Sequence, residues 1–379
     1  MLLEISSVEL HDVALHIMKQ LQGYYVNNIY AISSDSLLFR LHHSTMAEKQ
    51  LMISPSRGVW LTKYSFGERS LESFVKILRA NLERAKFAKI SQPAGERIVV
   101  LEFETPNGLM KVIGEFFRGG NVILVDGSDK IIACQKTIKV RHRRIVPGET
   151  YKLPPGRGID FFRLVADDIL KAGDSSLEIA RWLGREISLS RKYVEEVLAR
   201  AKVDKMAKAS DLSPNDLEKI YQACKELAGT LLDASLKGSV ILDNSNPVDF
   251  VLPNFVTYLG KTFVEKDSFV DALDEVLSFD LRQEREVSAK KPQLQRLEEL
   301  EKSLEEQRKT RETGLATALK IRDVANQIVQ KLGTRPISMD EFRLISSDVV
   351  RLTESMGKIL LKFLAIAGNF LPNHTLRAL

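Results

Sequence analysis

The sequence is poor in the residues and patterns that build disulfide frameworks, zinc sites and membrane spans. Its 379 residues include two cysteines, Cys134 and Cys224, neither of which has a second cysteine nearby. That usage excludes a disulfide framework and a zinc-finger spacing, and it fits a reducing, cytoplasmic compartment. The acidic start lacks the features of a signal peptide, and the longest apolar stretch, residues 359–371, is too short to cross a bilayer. We therefore expect no membrane partner.

Patterns typical of enzymes are also missing. The sequence contains no phosphate-binding loop, no Gly-rich dinucleotide fingerprint and no His-Glu-x-x-His pattern. His11 and His16 stand five residues apart, which is wrong for one metal-facing side of a helix. The His42-His43 pair is better explained as exposed turn residues. Because no nucleophile stands beside a base, we expect no catalytic residue, no cofactor, no metal and no enzymatic activity.

What the sequence does contain is a change of pattern along the chain, which predicts an α+β fold. Short alternating strands with turn residues dominate residues 1–153 and predict an antiparallel sheet with two or three helices. The predicted elements there include a helix to about residue 21 that begins with a capping box at Ser6–Glu9, a helix over 71–88 and a strand over 131–140. The first four predicted strands cover residues 28–33, 36–41, 49–53 and 59–62.

Helical patterns follow a Pro/Gly-rich boundary. Residues 154–237 predict helices over 176–185 and 190–201 and another after Ser213-Pro214. Strands over 239–243 and 254–256 and a short helix over 269–277 are expected in the segment 238–281. Residues 282–379 carry leucines at helical spacing around a polar stretch, which indicates an interrupted coiled-coil arm that turns at 333–336 and returns over 338–364.

Positive charge is concentrated in one short stretch, although the net charge is only +5. Residues 136–152 contain six cations and one acid, and Arg118 lies upstream in the tight turn of the sequence GEFFRGGNVILVD (residues 114–126). The cations are Lys136, Lys139, Arg141, Arg143, Arg144 and Lys152. Two explanations stay open, a solvated strand end or an edge that binds RNA phosphates.

Two groups of charged residues have structural explanations of their own. Glu9 fits the capping box of the first helix, and the pair Glu96-Arg97 fits the edge of a strand. Spacing alone favours these structural roles over a functional one.

Five segments in order resemble the NFACT family, whose members are also known as fibronectin-binding protein A-like proteins. They cover roughly residues 1–280: LQGYYVNNIYAI, KILRANLERAKFAKISQPAGERIVVLEFE, GEFFRGGNVILVD, RIVPGETYKLPP and NPVDFVLPNF. The resemblance implies a lobe similar to the N-terminal lobe of formamidopyrimidine-DNA glycosylases, then a helix-hairpin-helix-like module from about 176 to 203. Relatives also carry an RNA-binding domain after the coiled coil, and we expect none within these 379 residues.

The resemblance also implies a role in ribosome-associated quality control. Such a factor binds a large ribosomal subunit obstructed by peptidyl-tRNA and recruits tRNA, chiefly alanyl-tRNA, for mRNA-independent tailing of the stalled chain. The family's key acids and arginine match Glu9, Glu96 and Arg97, where Glu replaces the Asp that the family often has. These three would contact tRNA, while Arg118, Lys139, Arg141, Arg143 and Arg144 would contact the RNA backbone.

Two alternatives remain at this point, a glycosylase-like DNA-repair protein and an adhesin that binds fibronectin. The sequence begins without the N-terminal Pro-Glu of repair glycosylases and has no Cys-x-x-Cys zinc finger. The adhesin alternative lacks a secretion signal. Both observations favour the ribosomal role.

Overall fold

The computed structural model describes residues 3–67, 72–93, 95–117, 119–140, 143–154, 158–232, 237–252, 255–332 and 340. The chain divides into two compact units, Met1–Glu286 and Val287–Leu379. Helices and an antiparallel sheet share the first unit, which confirms the expected α+β class. No helix in the described ranges is long and apolar enough to cross a bilayer.

Helix α1, Ser7–Gln20, begins at the predicted capping box, in which Ser6 and Glu9 each bind the other's backbone N–H. Four antiparallel strands follow, close to their predicted positions: β1 (Tyr25–Ala31), β2 (Leu37–His42), β3 (Lys49–Ser54) and β4 (Gly58–Thr62). Helix α1 buries Val8, Val13 and Ile17 against the sheet because these residues recur on one helical face.

A second run of strands completes a nine-stranded sheet in the order β4-β3-β2-β1-β5-β6-β7-β8-β9. Helix α2 spans Ser73–Leu82. The strands after it are β5 (Lys86–Ser91), β6 (Ile98–Thr105), β7 (Gly108–Glu115), β8 (Asn121–Asp126) and β9 (Ile131–Cys134). Strands β4 and β7 also contact each other, so the sheet curls around its core.

Two predictions in this region were wrong. The helix expected over 71–88 ends at Leu82, because Arg84 adopts a left-handed φ of 61° and the chain turns into β5. The strand expected over 131–140 is broken after Cys134. Its second part, β10 (Ile138–Val140), pairs instead with β11 (Arg143–Ile145) in a separate two-stranded hairpin.

Helices form the next part, as expected. They are α3 (Ala166–Leu170), α4 (Ile179–Glu186), α5 (Arg191–Ala201) and α6 (Pro214–Leu231), with 3-10 turns at Phe161–Arg163, Lys171–Asp174 and Ala209–Asp211. Helices α4 and α5 are the predicted helix–hairpin–helix pair. The turn between them contains Ser188 at a positive φ of 56°.

A three-stranded sheet in the order β13-β12-β14 follows, formed by β12 (Gly238–Asp243), β13 (Asn246–Val251) and β14 (Phe263–Lys266). The strand predicted over 254–256 is not observed: residue 254 lies outside the described ranges, and a 3-10 helix, Val256–Tyr258, begins at residue 256. The partition at residues 153, 237 and 281 stays an interpretation.

The last described element is the 64-residue helix α7, Phe269–Leu332. The short helix expected over 269–277 was therefore wrong in length, since the helix continues without a break at 278–282. The buried Arg57 of the β3–β4 turn lies 2.7 Å from Asp280 and 2.8 Å from Glu284 on this helix. In the second unit, Leu297, Leu300 and Leu304 are exposed. The predicted turn and returning helix lie outside the described residues.

Candidate nucleic-acid interface

Glu9 is fully buried, although it was expected as a surface group that reads tRNA. Its Oε2 accepts hydrogen bonds of 2.8 Å from both the backbone N–H and the hydroxyl of Ser6. The other carboxylate oxygen, Oε1, faces helix α5. It lies 2.7 Å from Nζ of Lys192 and accepts a 3.3 Å hydrogen bond from the hydroxyl of Tyr193.

Lys192 joins three parts of the first unit. Its ammonium also lies 3.4 Å from Asp249 on β13 and donates a 2.8 Å hydrogen bond to the carbonyl of Phe250. Burial disfavours the charged form, but Glu9 and Asp249 outweigh it and raise the pKa of Lys192. Burial, followed by the Glu9 carboxylate, raises the pKa of Tyr193 well above its ordinary value. Glu9 therefore links the N-terminal lobe to the helical part through a buried ion pair.

Glu96 and Arg97 are the last two residues of the loop that connects β5 to β6. Gln92 connects this loop to α1, since its Nε2 donates to the carbonyls of Ser7 at 2.7 Å and Glu96 at 2.8 Å. Arg97 pairs with Glu4: Nη1 donates at 2.9 Å, and Nη2 lies 2.8 Å from the second oxygen without hydrogen-bonding alignment. Nε of Arg97 has no hydrogen-bond partner among the described residues.

The three residues expected to act together, Glu9, Glu96 and Arg97, all lie near the N-terminal end of α1, but each makes a different kind of contact there. Gln92 ties the backbone of Glu96 to the first turn of α1, and Arg97 reaches the segment just before that helix. The side chain of Glu9 instead points into the interior, towards Lys192. Their contact with tRNA stays a prediction.

A cleft of about 270 Å³ opens beside this loop. One wall comes from α1 and the β5–β6 loop, and the other comes from the 3-10 turn at Phe161–Arg163 and the end of α4. The lining residues are Ser7, Val8, His11, Gln92, Gly95, Asp160, Phe161, Phe162, Arg163 and Ile187.

Arg143 is a structural residue in the basic stretch, contrary to the prediction that it binds an RNA backbone. In the β10–β11 hairpin it faces inward and forms a bidentate pair with Glu115, whose side chain is fully buried. Tyr151 donates a 2.9 Å hydrogen bond to the same carboxylate. Removing a buried carboxylate from water requires a paired cation and hydrogen bonds, so Arg143 is committed to Glu115.

Lys139 and Arg144 lie on the other face of this hairpin. They are directly paired across the two strands, and alternation along a strand places them opposite the face that carries Arg143. Lys139 is exposed, and Arg144 is 61% exposed beside Glu149 at 3.1 Å. These two cations are accessible to phosphates. Arg118 and Arg141 lie outside the described residues.

Glycine is needed at positions 119 and 120 of the GEFFRGGN turn for two different structural reasons. Gly119 has a φ of 80° with open space beside it, so the turn itself requires a glycine. At Gly120, an added Cβ would come within 2.2 Å of the carbonyl oxygen of Glu115. The backbone therefore packs against itself at Gly120, and Lys136 reinforces the turn by donating to the Gly120 carbonyl at 3.1 Å.

Sequence reasoning missed Lys192, Glu115 and Gln92. Each acts through a partner distant in sequence, and none belongs to a motif with a recognisable spacing. A weak signal existed for Glu115, because an acid inside an otherwise apolar strand needs a buried cation. In the described ranges, no group of three or more His, Cys, Asp or Glu side chains is placed to hold a metal ion.

Comparison with known proteins identifies the family to which this chain belongs. The pattern of the NFACT N-terminal and middle domains matches residues 6–333, so the chain belongs to the NFACT family. The archaeal Rqc2 homolog aRqcH of Methanocaldococcus jannaschii is 28% identical over 284 residues, which is 72% of this chain and 42% of the relative. Ribosome quality control complex subunit 2 of Saccharomyces cerevisiae is 27% identical over 202 residues, which is 53% and 18% of the two chains.

A solved structure shares the fold. The fibrinogen binding protein of Staphylococcus aureus superposes with a TM-score of 0.57 at 20% identity, over 71% of this chain and 97% of that one. The present chain spans less than half the length of the two curated relatives.

Proposed function

We propose that this chain is a cytoplasmic ribosome-associated quality-control factor. It binds large ribosomal subunits obstructed by peptidyl-tRNA and recruits tRNA, chiefly alanyl-tRNA, for mRNA-independent C-terminal tailing of the stalled chain. It acts as an adaptor and not as an enzyme. The observation that carries this proposal is the NFACT match over residues 6–333, together with relatives named as ribosome quality control subunits.

The surface around the β5–β6 loop has the chemistry to read a nucleotide. Glu96 offers carboxylate oxygens, which accept hydrogen bonds from base amino groups and ribose hydroxyls. The side chain of Arg97 is 23% exposed, and its Nε is buried without a hydrogen-bond partner in the described part of the chain. A guanidinium is suited to a base edge or a phosphate. Glu9 lies buried in the first turn of α1, the turn to which Gln92 ties this loop, and pairs there with Lys192.

The outer face of the β10–β11 hairpin supplies charge for the RNA backbone. Lys139 and Arg144 are neighbours on this face, and exposed cations contribute affinity without reading the sequence. Contact of Arg118 and Arg141 with the RNA backbone stays a prediction. The proposed division of labour assigns phosphates to the hairpin and nucleotide recognition to the loop.

Ultraviolet cross-linking in cells, followed by sequencing of the RNA bound to this chain, tests the proposal. We expect tRNA, with alanine tRNA enriched, together with rRNA of the large subunit. The double variant Glu96→Gln/Arg97→Met should lose tRNA while it keeps rRNA. The matched control is Glu104→Gln/Lys86→Met, an exposed pair on the neighbouring strands at 3.8 Å. Recovery of mRNA alone, or of no RNA, would contradict the proposal.

The adhesin and repair alternatives find no specific support. The name fibrinogen binding protein belongs to the staphylococcal protein, and a likeness at 20% identity establishes only the shared fold. Function must be argued from the site, and the described site offers RNA-binding chemistry.

A further inference from the structure

The cleft beside the β5–β6 loop contains a pair of aromatic rings that the proposed function does not use. The rings of His11 on α1 and Phe162 lie with their centroids 4.5 Å apart at an angle of 36°. Phe161, which is buried, packs edge-on against Phe162 at 5.6 Å and supports it from behind. His11 and Phe162 are themselves only half-buried, so part of the pair remains available to a ligand.

Gln92 gives the same cleft a fixed hydrogen-bond acceptor. Both hydrogens of its amide nitrogen are occupied by the carbonyls of Ser7 and Glu96. Because carbonyl oxygens only accept hydrogen bonds, the amide atom of Gln92 that faces them must be the nitrogen, which fixes the orientation of the amide. Its Oε1 accepts no hydrogen bond from any described residue. An oriented acceptor therefore stands on the wall of the cleft.

The size and charge of the cleft narrow the choice of ligand. Its volume of about 270 Å³ is below the roughly 300–1,000 Å³ of pockets that hold drug-sized molecules. Arg163 at the rim is 84% exposed, and its Nε lies 3.7 Å from one carboxylate oxygen of Asp160. The other carboxylate oxygen of Asp160 caps the 3-10 turn. The aromatic pair suits a flat group, and the acceptor on Gln92 suits a hydrogen-bond donor at the edge of that group. The cation at the rim, Arg163, suits a negatively charged backbone to which the flat group is attached.

We propose that this cleft binds one unstacked RNA base that carries an exocyclic amino group. The base stacks on the His11–Phe162 pair, and its amino group donates to Oε1 of Gln92. Single-stranded RNA is commonly recognised through such stacking and edge contacts. Adenine, cytosine and guanine carry the amino group at the edge of the ring system. Uracil has no amino group and can offer Oε1 of Gln92 only its ring N3–H, which lies closer to the ring, so we expect weaker binding of uracil. This inference rests on the proposed function, because it requires an RNA partner.

Fluorescence anisotropy with labelled single-stranded RNA pentamers tests the cleft directly. The probes are four homopolymers, one for each base, and a pentamer of the same backbone without bases. The full chain should bind the adenine, cytosine and guanine pentamers more tightly than the uracil pentamer. Phe162→Ala should weaken binding to the first three about 5- to 150-fold, which corresponds to the 1–3 kcal/mol that base–aromatic stacking contributes.

Three controls separate stacking from folding and from charge. Phe162→Trp keeps an aromatic surface and should retain most of the affinity. Phe263→Ala, at an aromatic side chain on β14 that is 53% exposed and outside the cleft, should leave binding unchanged. Neither Phe162 variant should alter binding to the base-free pentamer, and Gln92→Met should abolish the discrimination against uracil.

The outcomes distinguish the cleft from the wider function. The first outcome is that Phe162→Ala has the same affinity as Phe263→Ala for each pentamer, while tRNA binding is intact. In that case the cleft proposal is wrong and the proposed function stands. Equal loss on the base-free pentamer would show that Phe162 acts through folding alone and would also overturn the cleft proposal. A wild-type chain that binds neither pentamers nor tRNA would contradict both.

Discussion

Substitution of Lys192 by Met should destabilise the first unit far more than the loss of a surface lysine. Lys192 is 15% exposed and lies between Glu9, which is fully buried, and Asp249, which is 16% exposed. Methionine has a similar length but leaves both carboxylates without their cation. Removing one partner of a buried ion pair costs about 3–5 kcal/mol.

The expected change is measurable by thermal unfolding at pH 7. At roughly 2 °C per kcal/mol for a unit of this size, the melting temperature should fall by about 6–10 °C. The pKa of Lys192 is raised in the folded state. Its contribution is therefore fully present below the ordinary lysine pKa and is lost only as the pH rises through the folded value, in the alkaline range.

Lys205→Met is the matched control on the same helical part. Lys205 is 52% exposed and lies 3.3 Å from Glu195, so its loss should cost only about 0–1 kcal/mol. The double variant Glu9→Gln/Lys192→Met should be less destabilised than the sum of the single changes, because the neutral amide that replaces the Glu9 carboxylate no longer needs a cation. Equal melting temperatures for Lys192→Met and Lys205→Met would refute the assignment of Glu9 and Lys192 as a buried link.

Three other predictions concern the hairpin, α1 and the glycine turn. Replacing Lys139 and Arg144 together by Ala should flatten the plot of log RNA affinity against log salt by about 0.7–0.9 per lost phosphate contact. Arg143→Ala should instead lower the free energy of unfolding by about 3–5 kcal/mol. If only Arg143→Ala changes the salt slope, this assignment of the three cations is reversed. Burial raises the pKa of Asp12 to about 6, so the free energy of unfolding falls as the pH rises from about 4 to 6. Asp12→Asn should therefore stabilise the protein by up to about 2 kcal/mol at pH 7 and by little at pH 4. Equal denaturation midpoints for the variant and the wild type at pH 7 would contradict this prediction. Gly120→Ala should disrupt the β7–β8 turn because its Cβ would meet the Glu115 carbonyl at 2.2 Å, and an unchanged hydrogen-exchange pattern of those strands would argue otherwise.

Local signals in the sequence predicted much of the fold. The capping box placed the start of α1, and alternation with turn residues placed β1 to β4 within a few residues. These features depend on residues that are close in sequence. The errors arose where contacts between distant residues override local preference. Arg84, which ends α2, donates its backbone N–H to the carbonyl of Val26 on β1. Helix α7 continues past residue 277, where Asp280 and Glu284 pair with Arg57 of the lobe.

The candidate site was less predictable for the same physical reason. Resemblance pointed to Glu9, but its partner Tyr193 lies 184 residues away, so spacing could not reveal that the carboxylate is buried. Arg143 belonged to a basic run, yet the two-residue alternation of a hairpin placed it and Arg144 on opposite faces. Only the register of β10 and β11 distinguishes the structural arginine from the exposed one.

Sedimentation with purified large ribosomal subunits tests the central claim most directly. The full chain should migrate with subunits that carry peptidyl-tRNA at low salt, and less of it should migrate with empty subunits. The Lys139→Ala/Arg144→Ala variant should leave the subunit fraction at a lower salt concentration, since it has lost phosphate contacts. If the chain stays at the top of the gradient with both kinds of subunit at low salt, its assignment as a ribosome-associated quality-control factor is wrong.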